Sequence, residues 1–494
     1  MIKKLILPLL FFSLLFFTGC SSNDEPKQDE KAEIGEEDEI QDFIWQGMNS
    51  YYLWQGNIPD LSDTRFDNDT EYVNFIKAAP EPEEFFESLI YNRNTVDKWS
   101  WIVDDYVALE DMFKGVYKSN GVEFGLFVMC STCDEVYAMV RYILPNTSAS
   151  NQEIERGDII MKIDGTQLNR SNYRDLLFHG NDAYHASLGR VVNGKIVSTG
   201  KTVDLLKEEY TENPVFIHKI FEENGKKIGY LLYNSFTSNF DTDLNDTFLE
   251  FRNEGITDLI LDLRYNGGGS VATAVYLSSM ITGQFKGELF TKERWNAKVQ
   301  RELESSHPEW LVNNFTDRLG TGARINSLNL SSLHMIVTRS SASASELVIN
   351  GLRPYINVKL FGEKTVGKYV ASVTLYDSPN FTKKNVNPRH NYAMQPIVLE
   401  EVNKDGENDK DGFDPDISLP EDYSNMGVLG ERNEPLLNAA IGDITGNVVK
   451  YNLEKQIPYE AFGHSKMYSR TANTMYIDSK PFFKEVFKRK ELKK

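Results

Sequence analysis

A serine hydroxyl becomes a useful nucleophile, and a lysine amine a useful base, only where the fold changes their surroundings. One stretch of this chain brings both types together: Ser341-Ala-Ser-Ala-Ser-Glu346, an apolar run to Leu352, then Gly362-Glu-Lys-Thr-Val-Gly-Lys368. The β-rich run Met335-Ile-Val-Thr338 before the serines and the helical run from Glu346 to Leu352 after them predict a strand-to-helix turn. Such a turn exposes a hydroxyl beside free backbone N–H groups. Val358 to Phe361 read as the next strand, and Gly362 and Gly367 bracket a tight loop able to bring Lys368 back toward the serines. Serine with lysine as general base is an established substitute for the histidine-based triad. The histidines offer no triad: His334, the nearest to the motif in sequence, lies within the strand. An ordinary lysine is charged at neutral pH and takes no proton from serine, so this one must be desolvated. Val366, Val370, Leu347, Val348 and Leu352 are the residues expected to bury it.

A second constellation lies upstream. Asp258 to Leu263 read as a buried strand that runs into Asn266-Gly-Gly-Gly269, with a helix from Val271 to Ile281. Strand, glycine turn and helix in that order present backbone N–H groups at a helix N-terminus, a ready oxyanion site. A dinucleotide loop is excluded, because Gly267-Gly-Gly269 lacks the spaced glycine fingerprint and no matching acid follows a second strand.

Together, Ser341 to Glu346, Gly362 to Lys368 and Asp262-Leu-Arg-Tyr-Asn-Gly-Gly-Gly269 resemble the core motifs of the C-terminal processing, or tail-specific, serine peptidase family, in that family's order. The resemblance implies that Ser343, the middle serine, is the nucleophile and that Lys368 is the base. Their separation (368 − 343 = 25 residues) fits the family pattern and excludes Lys364. The reaction implied is peptide hydrolysis through an acyl-enzyme, with no cofactor and no metal. The oxyanion is expected at the N–H of Ala344 and one N–H from Gly268 or Gly269, each donor being worth about 3 kcal/mol. Many members carry glutamine four residues after the lysine; this chain has Ser372, expected to accept a hydrogen bond from the lysine amine over a shorter reach.

With 494 residues, 40% hydrophobic and 26% charged, the chain is expected to hold two or three globular domains. The fold class expected is multidomain α/β: a ClpP/crotonase-like α/β protease core, an inserted or preceding PDZ-like β-rich domain and a small helical N-terminal domain. Lys3 and Lys4, the apolar run from Leu5 to Phe17 and Thr18-Gly19-Cys20 make residues 1–20 a secretory signal, and the cysteine resembles a bacterial lipoprotein cleavage site with Cys20 lipidated. Residues 21–39, rich in Asp and Glu, read as an acidic tether. The expected location is therefore the cell envelope, as an outer-membrane lipoprotein facing the periplasm or cell surface. A formal net charge of −20 without a basic cluster argues against a nucleic-acid partner.

Apolar residues at helical spacing (Phe43, Ile44, Met48, Tyr51, Tyr52) predict a helical domain over 40–115. Short strands, Arg156-Gly-Asp-Ile-Ile160 and a short helix from Tyr173 to Phe178 make 116–207 resemble a PDZ domain, which captures an extended peptide by strand addition. Gly121, Val122, Phe124 and Gly125 are then the expected substrate-binding residues, with Glu123 poorly placed to face a terminal carboxylate. Cys130 and Cys133 are half a zinc site with nothing to complete it, and a local disulfide is expected. The catalytic domain is expected over 208–445 and a C-terminal extension over 446–494. The segment Asn403 to Asp416 looks like a calcium loop but lacks the central glycine, and is read as a structural loop. The resulting expectation is a lipid-anchored serine endopeptidase acting on exported polypeptides. The alternative is a non-catalytic peptide-binding lipoprotein on the same scaffold.

Overall fold

Asp258–Asp262, Ser332–Val337 and Asn357–Gly362 lie side by side as parallel strands in the computed structural model, which describes residues 33–447, 459–468 and 473–477. The first of them is buried along its whole length, as a strand covered on both faces requires. Because the three run the same way, the glycine turn, the serine string and the lysine loop all start from one edge of the sheet. That edge is where open α/β sheets gather their ligand sites. Lys226–Tyr233 pairs parallel to the first strand, Val215–Glu223 adds to it antiparallel, and Ile417–Ser418 completes six strands on the far side.

Alternation along the strands decides which layer each residue joins. Leu259 and Leu261 pack in one core with residues of the helices Asp241–Glu254, Val271–Thr282 and Ala344–Leu352, whereas Ile260 and Ile336 face Leu437 and Ala440 of the helix Pro435–Thr445. The N-terminal helices Glu39–Tyr51, Asp69–Lys77 and Pro82–Ser88 do not form a core of their own. Phe43, Met48 and Phe86 belong to the same cluster as Leu261 and Val348. Asn296 Nδ2 donates to the carbonyls of Ser50 and Tyr52 at 2.9 and 3.1 Å, and Leu53 N–H donates to Ile397 O at 2.8 Å. The end of this segment departs from the all-helical expectation, since Trp101–Val103 is a strand paired with Ala393–Gln395. The tether also ends sooner than expected: Glu39 opens the first helix and its carboxylate pairs with Arg389. Cys20, the signal segment and residues 21–32 lie outside the described residues.

Residues 116–211 are β-rich, as the alternation predicts. Val122–Val128, Tyr137–Ile143, Ile159–Ile163, Ala183–Val192 and Lys195–Leu206 form one antiparallel sheet, and Cys130 and Cys133 are joined by a disulfide in the first connection. The short helix expected from Tyr173 to Phe178 is a wide turn over Asp175–His179. Two parts of the C-terminal extension enter sheets. Glu460–His464 is the edge strand beside Val122–Val128, and Met475–Tyr476 lies inside a second six-stranded sheet, between Gly269–Ser270 and Val370–Ser372.

Arg264, from the Asp262-Leu-Arg264 motif, is wholly buried and holds these layers together. Its guanidinium donates to Asp262 at 2.7 Å, to both oxygens of Glu434 at 2.7 and 2.8 Å and to Glu421 at 3.3 Å. Glu434 caps the helix Pro435–Thr445 through Leu437 N–H at 2.7 Å, and Glu421 also takes Arg156 of the β-rich sheet at 2.8 Å. Burial pushes Glu421 up, but Arg156, Arg264 and Arg141 outweigh it and hold the carboxyl down at about 2. Breaking a buried ion cluster by removing one sign leaves the other uncompensated, at a cost of about 3–5 kcal/mol. Arg264→Met is therefore expected to lower the urea midpoint by that amount of stability; an unchanged midpoint would refute this role.

Candidate active site

Ser343 stands at the N-cap of the helix Ala344–Leu352 with φ 66° and ψ −115°, a conformation costing a non-glycine residue roughly 1–3 kcal/mol. Its neighbours hold it there. Ser341 Oγ donates to Leu263 O at 2.7 Å and accepts Thr338 N–H at 2.9 Å, while Ser345 Oγ donates to Asn266 O at 3.0 Å. The outer serines thus pin the string to the strand end and glycine turn beside it. Of the three hydroxyls only that of Ser343 is buried without a hydrogen-bond partner among the described residues.

Glu346 joins this turn to the lysine loop. Oε2 accepts the N–H of Ser343 and the N–H of Lys368, both at 2.8 Å, and Oε1 accepts the N–H of Gly367 and the hydroxyl of Thr365, both at 2.6 Å. Burial pushes the Glu346 carboxyl above the usual range, and these four donors pull it back. Gly367 has φ +88° and packs so closely that a Cβ there would stand 2.4 Å from Lys410 O. The loop that resembled a calcium site therefore buttresses the lysine loop.

Lys368 is 1% exposed. Burial brings its amine down to about 7, against the opposing pull of Asp97 and Glu346. Ser343 and Lys368 line the same cavity of about 10 Å³, together with Glu346, Leu347 and Met475, room for one water at most. Of the residues expected to bury the lysine, Leu347 lines this cavity, but Val366, Val370, Val348 and Leu352 do not. The N-terminal segment contributes instead: the Trp99 ring lies 5.5 Å from Nζ, and Asp97 is fixed by the Tyr52 hydroxyl at 2.8 Å and the N–H groups of Trp99 and Ser100 at 3.1 and 2.9 Å. No local signal marks Asp97 and Trp99, which reach the site only through the tertiary fold. Lys364 points away, in an exposed ion pair with Asp414 at 3.2 Å.

Three expectations need correction. Ser372 makes no hydrogen bond to Lys368; its hydroxyl donates to Met475 O at 3.3 Å, because the tail strand runs alongside it. Gly268 approaches closely, as a Cβ there would stand 2.6 Å from Ser343 Cβ and 3.0 Å from Ala344 N, but its N–H already donates to Asn266 Oδ1 at 2.9 Å. Gly269 pairs with Met475. Ala344 N–H, at the first helical position, is left over by the helix's own ladder. In the expected peptide groove, Gly121 N–H donates to Ser119 Oγ at 2.9 Å and Val122 N–H to Asn120 Oδ1 at 3.0 Å, so neither is free for a carboxylate. Phe124 and Gly125 do form a strand-addition edge, occupied by the chain's own residues 464 and 465.

The tail also reaches the glycine turn. Thr474 O lies 2.6 Å from the point where a Cβ on Gly268 would stand, as close as Ser343 Cβ. A cleft of about 410 Å³ runs from Glu123 and Glu212 to Gly267, Gly268 and Gly269, and residues from both tail pieces line it.

The strained Ser343 at a strand-to-helix turn and the buried Lys368 thus line one small cavity at the carboxyl edge of a parallel sheet in a mixed α/β fold. The sequence model for "Peptidase family S41" matches residues 227–419, and that for "Peptidase S41 N-terminal domain" matches residues 39–101. A carboxyl-terminal-processing protease from Picosynechococcus is 24% identical over 302 residues, covering 61% of this chain. A CtpA-like serine protease of Staphylococcus epidermidis is 27% identical over 31% of this chain. The chain spans 65% of the length of the first relative and 28% of the second. The crystal structure of a Bacteroides fragilis protein described as an S41 protease superposes with a TM-score of 0.63 at 25% identity, covering 82% of this chain and 98% of that one. The chain belongs to peptidase family S41, a family of serine peptidases.

Two measurements test this geometry. Glu346→Ala strands three N–H groups and a hydroxyl, and is expected to cost about 3 kcal/mol or more, with Glu346→Gln intermediate; equal urea midpoints for the three proteins would refute the clamp. Lys368 has a folded value near 7 against the ordinary 10.5. Between those values the unfolded chain binds the extra proton, so this group makes stability rise with pH across that window, and its burial penalty is full below 7. Lys368→Met should therefore stabilise most at pH 6.5 and least at pH 10, read by denaturation at both; a pH-independent difference would contradict a buried titrating amine.

Proposed function

We propose that this protein is a serine endopeptidase that hydrolyses unstructured segments of exported polypeptides, with Ser343 as nucleophile and Lys368 as general base. The observation that carries the reading is the pairing of the one partnerless hydroxyl of the serine string with a desolvated lysine in a common cavity. Neutral Lys368 takes the Ser343 proton as Oγ attacks the peptide carbonyl. The oxyanion receives Ala344 N–H, and Gly268 N–H once released from Asn266. The C–N bond then breaks, the lysine ammonium protonates the leaving amine, and water hydrolyses the ester with Lys368 again as base.

The parallel sheet with helices on both faces supports a ClpP/crotonase-like core, and the strand Glu460–His464 added to the edge of Val122–Val128 supports a PDZ-like peptide-binding unit. Cell-envelope attachment through Cys20 rests on the sequence pattern of residues 1–20. The competing reading, a non-catalytic peptide-binding lipoprotein, draws on the tail strand seated beside Ser343 and Ser372.

Turnover of an unstructured polypeptide separates the two. Ser343→Ala and Lys368→Ala should each lose activity by at least a thousandfold, while Lys364→Ala stays near wild type. The wild-type kcat/KM should rise with pH through about 7 as Lys368 loses its proton. Persistent cleavage by Ser343→Ala, or an acid limb that survives Lys368→Ala, would overturn the assignment.

A further inference from the structure

The tail strand Glu460–His464 meets Val122–Val128 antiparallel, with His464 opposite Gly125. Ser465 continues the pairing: its N–H donates to Phe124 O at 2.9 Å, and its hydroxyl accepts Phe124 N–H at 3.2 Å and donates to Glu123. The next residue, Lys466, turns into the end of the cleft. Its amine donates to Glu212 Oε2 at 2.6 Å, lies 3.5 Å from the Tyr142 hydroxyl and stands 5.8 Å from the centre of the Tyr117 ring. Beyond it Tyr468 packs edge-on against Phe178 at 4.7 Å and bonds the Tyr173 hydroxyl at 2.9 Å. These are the marks of a peptide bound by strand addition with side-chain pockets for alternate residues.

The acids at this end of the cleft are built in. Glu123 and Glu212 are each 4% exposed. The Tyr117 hydroxyl donates to Glu212 at 2.6 Å and lies 3.5 Å from Glu123, and Asn234 Nδ2 donates to Glu212 at 3.2 Å. Two buried carboxylates sharing one tyrosine repel each other and demand a cation between them. A compact ammonium on a long stem suits such a point site better than a planar guanidinium.

Resting on the peptidase reading, we propose that Glu123 and Glu212 form a lysine-selective subsite for extended polypeptides, reading a Ser-Lys pair at one end of the cleft, and that the chain's own Ser465 and Lys466 fill it in cis. The Glu123 that is ill placed for a substrate carboxylate is thereby a recognition group for substrate cations. The cleft joins this subsite to the glycine turn Gly267 to Gly269, the turn that packs against Ser343.

The test is binding, read by fluorescence anisotropy of a dye-labelled peptide with the sequence of residues 459–468. The full chain carrying Lys466→Ala should bind it at least tenfold more tightly than wild type does. The same peptide with Lys466→Glu should bind at least tenfold more weakly, and adding Glu123→Gln and Glu212→Gln to the chain should erase that preference. Equal binding of both peptides, or no gain in the Lys466→Ala chain, would overturn the proposal. A second measurement needs no substitution in the protein: excess peptide should displace the wild-type tail and speed hydrogen exchange across residues 460–466, and the Lys466→Glu peptide should not. Unchanged exchange with both peptides also overturns it. Neither readout depends on hydrolysis. Lysine-selective binding by a wild-type chain that cleaves nothing would sink the peptidase reading and leave the subsite standing, while cleavage without lysine preference would do the reverse.

Discussion

The carboxylate of Glu346 is the contact on which the site depends. It lies one helical turn after Ser343 and reaches back to that residue's own N–H, which holds a non-glycine residue at positive φ without a compensating side-chain bond from Ser343 itself. The same two oxygens take the N–H groups of Gly367 and Lys368 and the Thr365 hydroxyl. One buried anion therefore fixes the distance between two loops that leave two neighbouring strands. Using an acceptor for the backbone rather than for the lysine amine matters chemically. The amine feels Glu346 only through space, so burial prevails and the lysine can shed its proton near neutrality.

That arrangement relies on parallel pairing behind it. Register puts Val337 beside Gly362 and Asp262 beside Ile336, so the three motifs emerge together from one edge. Arg264 locks the edge from behind, joining a strand end, a helix cap and the β-rich sheet through Asp262, Glu434, Glu421 and Arg156. The N-terminal helices close the front. Their apolar residues share the peptidase core, and this rigid attachment lets Trp99 and Asp97 serve as a wall of the lysine pocket.

What could be read from the sequence was local. The serine string, the lysine loop and the glycine turn each combine a strand, special backbone residues and a helix within a short stretch, so their elements and relative order follow from pattern alone. The choice of Lys368 over Lys364 rests on the family pattern the serine-to-lysine separation resembles, and Lys364 lies in an exposed ion pair. Several misreadings turn on contacts across long separations. Nothing near Asp97 or Trp99 announces a partner far along the chain. The resemblance places an orienting residue four positions after the lysine, where this chain has Ser372, but a neighbouring tail strand takes that hydroxyl. Gly121 and Val122 carry the right types for a carboxylate loop, yet the side chains of Ser119 and Asn120, each two positions before the N–H it accepts, already satisfy those groups.

The tail shows how the two ends of the cleft are linked energetically. Its first piece adds a strand beside Phe124, pairing Lys466 with Glu212 and Ser465 with Glu123; its second inserts between the strand after the glycine turn and the strand after the lysine loop. A segment tethered to the same molecule competes intramolecularly, without the concentration cost a free polypeptide bears. On the proposed reading, a free polypeptide would have to outbid the tail at the groove. The proposed subsite would admit a lysine because the acid pair is costly to leave without a cation. In that proposal the charge pair that holds the tail in place is also the one a substrate lysine would take over, so selectivity and restraint would arise from one set of contacts.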